Sequence, residues 1–167
     1  TQASTYLVRT VHVDFGAALC AIIRIVALRR ILGRGAMAID HNKVMEIAEA
    51  YTAAWNSGSP AAVAEFYAQD GCIVINRGEP WEGRTGIAEM AARFFADVPD
   101  LTLVCDKVRC AGDHVVYLWT FTGTHSGTEN PLRAVGWEEW DFDGDLKVKA
   151  SRGWFDADDY ARQTAAK

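Results

Sequence analysis

Three side chains in this sequence have the type and setting for acid–base chemistry. His125 has an unperturbed pKa near neutrality, and it follows Tyr117, Trp119 and Phe121 at odd-numbered positions. Glu138 stands in Trp137-Glu138-Glu139-Trp140, where a carboxylate between aromatic rings is a candidate for a raised pKa. Asp156 follows Trp154-Phe155 at the end of the last expected strand. Proton abstraction next to a carbonyl needs a base of this kind and a donor to the developing oxyanion. Each candidate also has a structural reading. His125 can be a loop-edge histidine bonded to backbone. Glu138 and Glu139 lie on alternate sides of a strand, so at least one faces solvent. Asp156 can cap a final helix over Ala157-Asp158-Asp159.

A second set of residues could hold a ligand. Six Trp among 167 residues is a rich content, and aromatic side chains line small-molecule pockets. Tyr51, Trp55, Trp81, Tyr117, Trp119, Phe121 and Trp140 form the aromatic candidates. The structural alternative is that these rings only fill core between sheet and helices. Arg133 could bind a carboxylate or an enolate, or lie in solvent. Cys20, Cys72, Cys105 and Cys110 include no CxxC pair, and His12, His41, His114 and His125 are scattered. A metal site needs clustered ligands, so no metal is expected. The cysteines read as reduced thiols of a cytoplasmic protein.

The elements that must position these residues are legible from residue 40 onward. Val44, Ile47, Ala48, Tyr51 and Trp55 form the stripe of an amphipathic helix, capped by Asp40 and stopped by Asn56-Ser57-Gly58. Ser59-Pro60 opens a second helix whose face is Val63, Phe66 and Tyr67. Asp70-Gly71 ends that turn, and residues 72–75 read as a short buried strand. A third helix starts at Thr85, with Ile87, Met90, Ala91, Phe94 and Phe95 as its stripe. After residue 100 the period changes from 3.6 to 2. Strands are expected over 101–110, 115–125, 132–142 and 146–155, with turns at Ala111-Gly112-Asp113 and Asp143-Gly144-Asp145. Helices followed by a long meander predict an α+β domain with helices on one side of an antiparallel sheet.

The net charge of −5 conceals an asymmetry. Residues 1–36 hold five arginines and Asp14, a net of +4, whereas residues 37–167 hold 12 basic and 21 acidic side chains, a net of −9. The apolar run at 19–28 is broken by Arg24, which argues against a membrane span. Arg29, Arg30 and Arg34 follow that run rather than precede it, against a secretory signal. Residues 1–36 are therefore expected to be a basic, apolar extension outside the folded domain of 37–167. An acidic body argues against a nucleic-acid partner, and no membrane partner is expected.

Tyr51-Thr52-Ala53-Ala54-Trp55-Asn56-Ser57-Gly58 and Phe66-Tyr67-Ala68-Gln69-Asp70-Gly71 resemble the opening of the nuclear transport factor 2-like superfamily. Gly83-Arg84-Thr85-Gly86-Ile87 and Gly123-Thr124-His125-Ser126-Gly127 are similar to its SnoaL-like polyketide cyclase branch. The resemblance covers about residues 40–160. It implies a cone-shaped, cystatin-like α+β fold, with three helices packed on a strongly curved antiparallel sheet around an apolar pocket. It also implies a homodimer formed through the outer sheet face. The activity it implies is cofactor-independent acid–base chemistry, of cyclase or isomerase type, on an apolar carbonyl compound. The superfamily also contains non-catalytic binding and dimerisation modules. Such cyclases commonly carry their catalytic acid in a His-Trp-Asp type sequence, where this chain has Ser151-Arg152-Gly153, so Glu138 or Asp156 would have to replace it. By resemblance to ketosteroid isomerase, Tyr51 and Glu138 fall near that enzyme's oxyanion donors. Ile75 falls where its catalytic aspartate would be, which disfavours a steroid isomerase.

Overall fold

The computed structural model describes residues 40–112 and 114–166; the expectation for residues 1–36 lies outside them. The first helix, α1 (His41–Asn56), begins where the Asp40 carboxylate accepts from the Asn42 N–H at 3.0 Å. It buries Val44, Ala48, Tyr51, Ala54 and Trp55 along one stripe. Its end is tied to the sheet by Asn56, whose Nδ2 donates to the Leu103 carbonyl at 2.9 Å while its Oδ1 accepts from the Leu103 N–H at 2.6 Å. That side chain acts as a short piece of added strand.

The second helix, α2 (Pro60–Ala64), is capped by Ser59, which accepts from the Ala62 N–H at 3.3 Å. It is shorter than the sequence suggests. Tyr67, expected on its face, instead opens β1 (Tyr67–Ile75) and is fully buried. Five residues gain little from helix propagation, and sheet pairing wins: Tyr67 is in register with Val148, whose N–H donates to the Phe66 carbonyl at 2.9 Å. Gly71 is a strand residue at a register shift rather than a turn. A Cβ there would come within 2.6 Å of the Val148 carbonyl oxygen, so the close approach requires glycine.

After β2 (Trp81–Glu82) comes α3 (Gly83–Asp97), which buries Ile87, Met90 and Ala91. The meander then runs through β3 (Thr102–Ala111), β4 (His114–Thr124), β5 (Pro131–Phe142) and β6 (Val148–Phe155). A final helix, α4 (Ala157–Thr164), packs on β5. Among the described residues the strands form one curved mixed sheet, in the order β2-β1-β6-β5-β4-β3. All neighbours are antiparallel except β1 and β6, which are parallel. This corrects the expectation of a wholly antiparallel sheet. The chain leaves β1, crosses through α3 and the meander, and returns beside β1 in the same direction, as parallel neighbours require.

On β4, Val115, Tyr117, Trp119 and Phe121 are buried in strict alternation. The same face of β5 carries Leu132, Ala134, Gly136, Glu138 and Trp140. Helices α1 and α3 cover this inner face, α1 against β3 and α3 against β1. No described helix is long and apolar enough to cross a membrane.

Gly136 sets the depth of this face. A Cβ at that position would lie 2.5 Å from Trp119 Cζ2 and 2.6 Å from Cη2, and against the Trp154 carbonyl oxygen. The backbone carbonyl cannot swing away, so Gly136→Ala forces a strand or the indole to shift. The expected loss is about 1–3 kcal/mol of stability, the usual range for overpacking, read from urea unfolding midpoints. An unchanged midpoint would contradict this packing.

Candidate functional site

Glu138 lies at the centre of the inner face, in register with Tyr117 on β4 and Gly153 on β6. Its side chain is 7 % exposed, while Glu139 turns outward and pairs with Arg152 Nε at 2.7 Å. Strand alternation alone separates the two. Four donors from four elements converge on one oxygen of Glu138. Trp140 Nε1 donates to Oε2 at 2.9 Å, the Tyr51 hydroxyl at 3.2 Å, and the Tyr67 hydroxyl and Ser151 Oγ at 3.5 Å each. The other oxygen, Oε1, receives only the longer approach of Tyr51, at 3.4 Å.

Burial pushes the Glu138 carboxyl above the ordinary carboxylate range, and the four donors offset that only in part. Tyr51 and Tyr67 are driven far upward, first by burial and then by the Glu138 charge, so both remain protonated donors. Tyr117 is also raised by burial; its hydroxyl bonds Thr52 Oγ1 at 2.7 Å and its ring stacks on Trp140 at 4.8 Å.

An apolar cavity opens beside the carboxyl. Its walls include the rings of Trp55, Phe94, Trp119, Phe121 and Phe155 with Ile73, Leu101 and Leu103, and Glu138 is its one ionisable residue. Its volume is about 40 Å³ to the centre of a water-sized sphere, space for roughly three waters. Ile75, Met90, Phe94 and Phe155 also border a wider outer chamber of about 230 Å³. Trp81, Arg93 and Asp97 complete that chamber, with the Arg93 guanidinium 4.5 Å from the centre of the Trp81 ring.

The other candidates are dispersed. His125 follows β4 and borders neither chamber; its Nδ1 is 2.8 Å from Thr128 Oγ1 and its N–H donates to the Asn130 carbonyl at 3.0 Å. Asp156 caps α4, accepting from the Asp159 N–H at 2.9 Å. Arg133 is exposed, and its backbone is held by Gln163 on α4. Tyr51, Tyr117 and Trp140 surround Glu138, whereas Trp55, Trp119 and Phe121 line the inner cavity. Among the described residues no group of three metal-ligating side chains comes together.

Sequence reasoning missed Tyr67 and Ser151 as donors, and Gly153 as part of the cavity wall. A Cβ at Gly153 would meet Glu138 Cγ at 3.6 Å, an ordinary contact. The stretch that resemblance marks as the family's acid thus lies beside Glu138 on the neighbouring strand. The resemblance that set Ser151-Arg152-Gly153 against the family's acid was thus a signal for Ser151 and Gly153; for Tyr67 the helical spacing pointed elsewhere.

The fold is shared with several solved structures. A hypothetical protein of ketosteroid isomerase-like fold from Catenulispora acidiphila, in complex with trimethylamine, is 24 % identical, with a TM-score of 0.67 over 73 % of this chain and 94 % of that one. A protein from Jannaschia described as a SnoaL-like polyketide cyclase is 18 % identical, with a TM-score of 0.63 over 74 % and 94 % of the two chains. SalBIII, an epoxide hydrolase/cyclase-like enzyme of pyran-ring formation in salinomycin, is 17 % identical, with a TM-score of 0.64 over 72 % and 95 %. No curated protein matches the chain. The family model described as the SnoaL-like domain matches residues 48–150, more than half of the sequence, and this chain belongs to that family.

Proposed function

We propose that this chain catalyses proton transfer on a small, apolar carbonyl compound, with Glu138 as the acid–base group. The observation that carries this reading is a single carboxyl, raised above its ordinary range, in the wall of an aromatic cavity. Four donors hold Oε2, whereas Oε1 receives only the longer approach of Tyr51, so Oε1 is assigned the substrate proton. Oε1 takes a proton from the carbon next to the carbonyl. The C–H electron pair becomes the enolate, and the same carboxyl returns the proton. A carboxyl moved toward neutral pH suits both steps. Glu138 takes the place of the acid that the family carries on the next strand, since Gly153 leaves room beside it. Trimethylamine, the ligand of one neighbour, indicates the alternative of a small ammonium held by rings and a carboxylate. Burial, which works against the Glu138 charge that an ammonium would need, favours the neutral carbonyl.

The experiment is hydrogen exchange of cyclopentanone α-protons in heavy water. The protein is expected to accelerate exchange, and Glu138→Gln to reduce the acceleration by roughly 10²–10⁴-fold. Equal rates for the two proteins, or no acceleration, would leave the binding-module alternative.

A second measurement reads the proton itself. The folded Glu138 value lies above the ordinary 4.5, so the folded chain holds this proton more tightly than the unfolded chain. The resulting stabilisation is fully present below about 4.5 and is lost as pH rises through the folded value. Glu138→Gln is therefore expected to gain stability relative to wild type as pH rises above about 4.5, in urea melts. A difference that does not change with pH would contradict the raised value.

We also infer a homodimer through the outer sheet face. Val104, Val135 and Trp154 are the exposed large apolar residues, at 52 %, 49 % and 46 % exposure. Val104 and Val135 flank Thr120 in register, and Trp137 joins Leu118 to Trp154 in a neighbouring row, giving one apolar patch. Sedimentation should show a dimer that Val135→Glu converts to monomer; a monomeric wild type would refute it.

A further inference from the structure

The outer chamber has features that the reaction at Glu138 does not use. Ile75, Met90, Phe94 and Phe155 make its walls apolar, and its two charged residues, Arg93 and Asp97, are of opposite sign. Both belong to the last turns of α3, where residues four apart are neighbours, with about 5–6 Å between Cβ atoms. They nevertheless form no ion pair, and among the described residues neither pairs with any other charged side chain. Arg93 turns to Trp81 instead, with its guanidinium 4.5 Å from the ring centre. Stacking of this kind uses the flat face of the guanidinium and leaves its N–H edge to donate. Asp97 lies toward Tyr160, whose hydroxyl is raised first by burial and then by the Asp97 charge. The Asp97 backbone carbonyl accepts from the Ser126 N–H at 2.7 Å, which fixes this end of α3.

A donor and an acceptor thus stand side by side on an apolar chamber of about 230 Å³. We propose that the outer chamber binds an uncharged primary amide, with the Arg93 guanidinium donating to its oxygen, Asp97 accepting from its N–H, and the attached alkyl chain lying against Met90 and Phe94. The charge preference takes in both ionisable wall residues. An anion would satisfy Arg93 but meet Asp97 and the negative C-terminal end of α3. A cation would satisfy Asp97 but meet Arg93. A primary amide carries an acceptor and a donor on one carbon and no charge, so it suits both residues and opposes neither. Glu138 borders the inner cavity and not this chamber. The site is therefore additional to the reaction proposed at Glu138 and does not depend on it.

The test titrates the full ¹⁵N-labelled chain at neutral pH with three ligands of equal carbon number: pentanamide, pentanoate and pentylamine. Binding is read from the Arg93 Nε–H and Trp81 indole N–H resonances, assigned by their loss in Arg93→Met and Trp81→Phe. Pentanamide is expected to bind about 10-fold more tightly than either charged ligand. The two charged residues should then change the order in opposite directions. Asp97→Asn leaves the Arg93 charge alone, and pentanoate should equal or exceed the amide. Arg93→Met leaves the Asp97 charge alone, and pentylamine should take that place. Both side chains are exposed, so neither substitution disturbs the core. Glu138→Gln should leave the pentanamide affinity unchanged, whatever the outcome of the ketone exchange. A loss of affinity there would put the amide in the inner cavity and overturn the proposal. Equal binding of the three ligands, no binding, or an order that Arg93→Met and Asp97→Asn leave as it is would overturn it as well.

Discussion

Desolvation of the Glu138 carboxyl governs this structure. An ionised carboxylate in an apolar interior is strongly disfavoured unless donors replace its water. Here the replacements come from four directions: Tyr51 from α1, Tyr67 from β1, Trp140 from β5 and Ser151 from β6. Each of these elements must be in place for the carboxyl to be tolerated, so one side chain ties the first helix to both central strands. The register of β5 inherits the same constraint. A slip by one residue would send Glu138 to solvent and bring Glu139 inside, where its present partner Arg152 could not follow.

The aromatic residues around this centre divide into two kinds. Tyr117 and Trp140 stack on each other and meet Tyr51 edge to face, which holds the hydroxyl of Tyr51 and the indole of Trp140 at the carboxyl. Trp55, Phe94, Trp119, Phe121 and Phe155 leave space instead of filling it, and they form the cavity wall. Rigid rings serve both ends, since each has few torsions to order. The result is a preorganised carboxyl with four donors on one oxygen and an apolar cavity at its side.

Much of this was readable before the structure. Alternation in 115–121 correctly placed Tyr117, Trp119 and Phe121 on one face, and the two tryptophans beside Glu138 marked an apolar setting. The same parity failed at His125, because β4 ends at Thr124 and the next residue turns to bond Thr128. Asp156 has a local partner, the Asp159 N–H, so short-range capping determines its place. Tyr67 was misread for the opposite reason. Its spacing from Val63 is helical, yet a partner far along the chain, Val148, decides its conformation. Helical and strand periods report local preference, and only the tertiary pairing of β1 with β6 settles which prevails.

That parallel pairing has a temporal meaning. Tyr51 and Tyr67 stand 87 and 71 residues from Glu138 along the chain, and Ser151 arrives only with β6, the last strand made. Contacts between such distant segments form late and slowly. In the unfolded chain the carboxyl is hydrated, and only the assembled sheet removes that water. Its altered proton affinity is thus a property of no fragment of the chain, and it comes into being with the final strand.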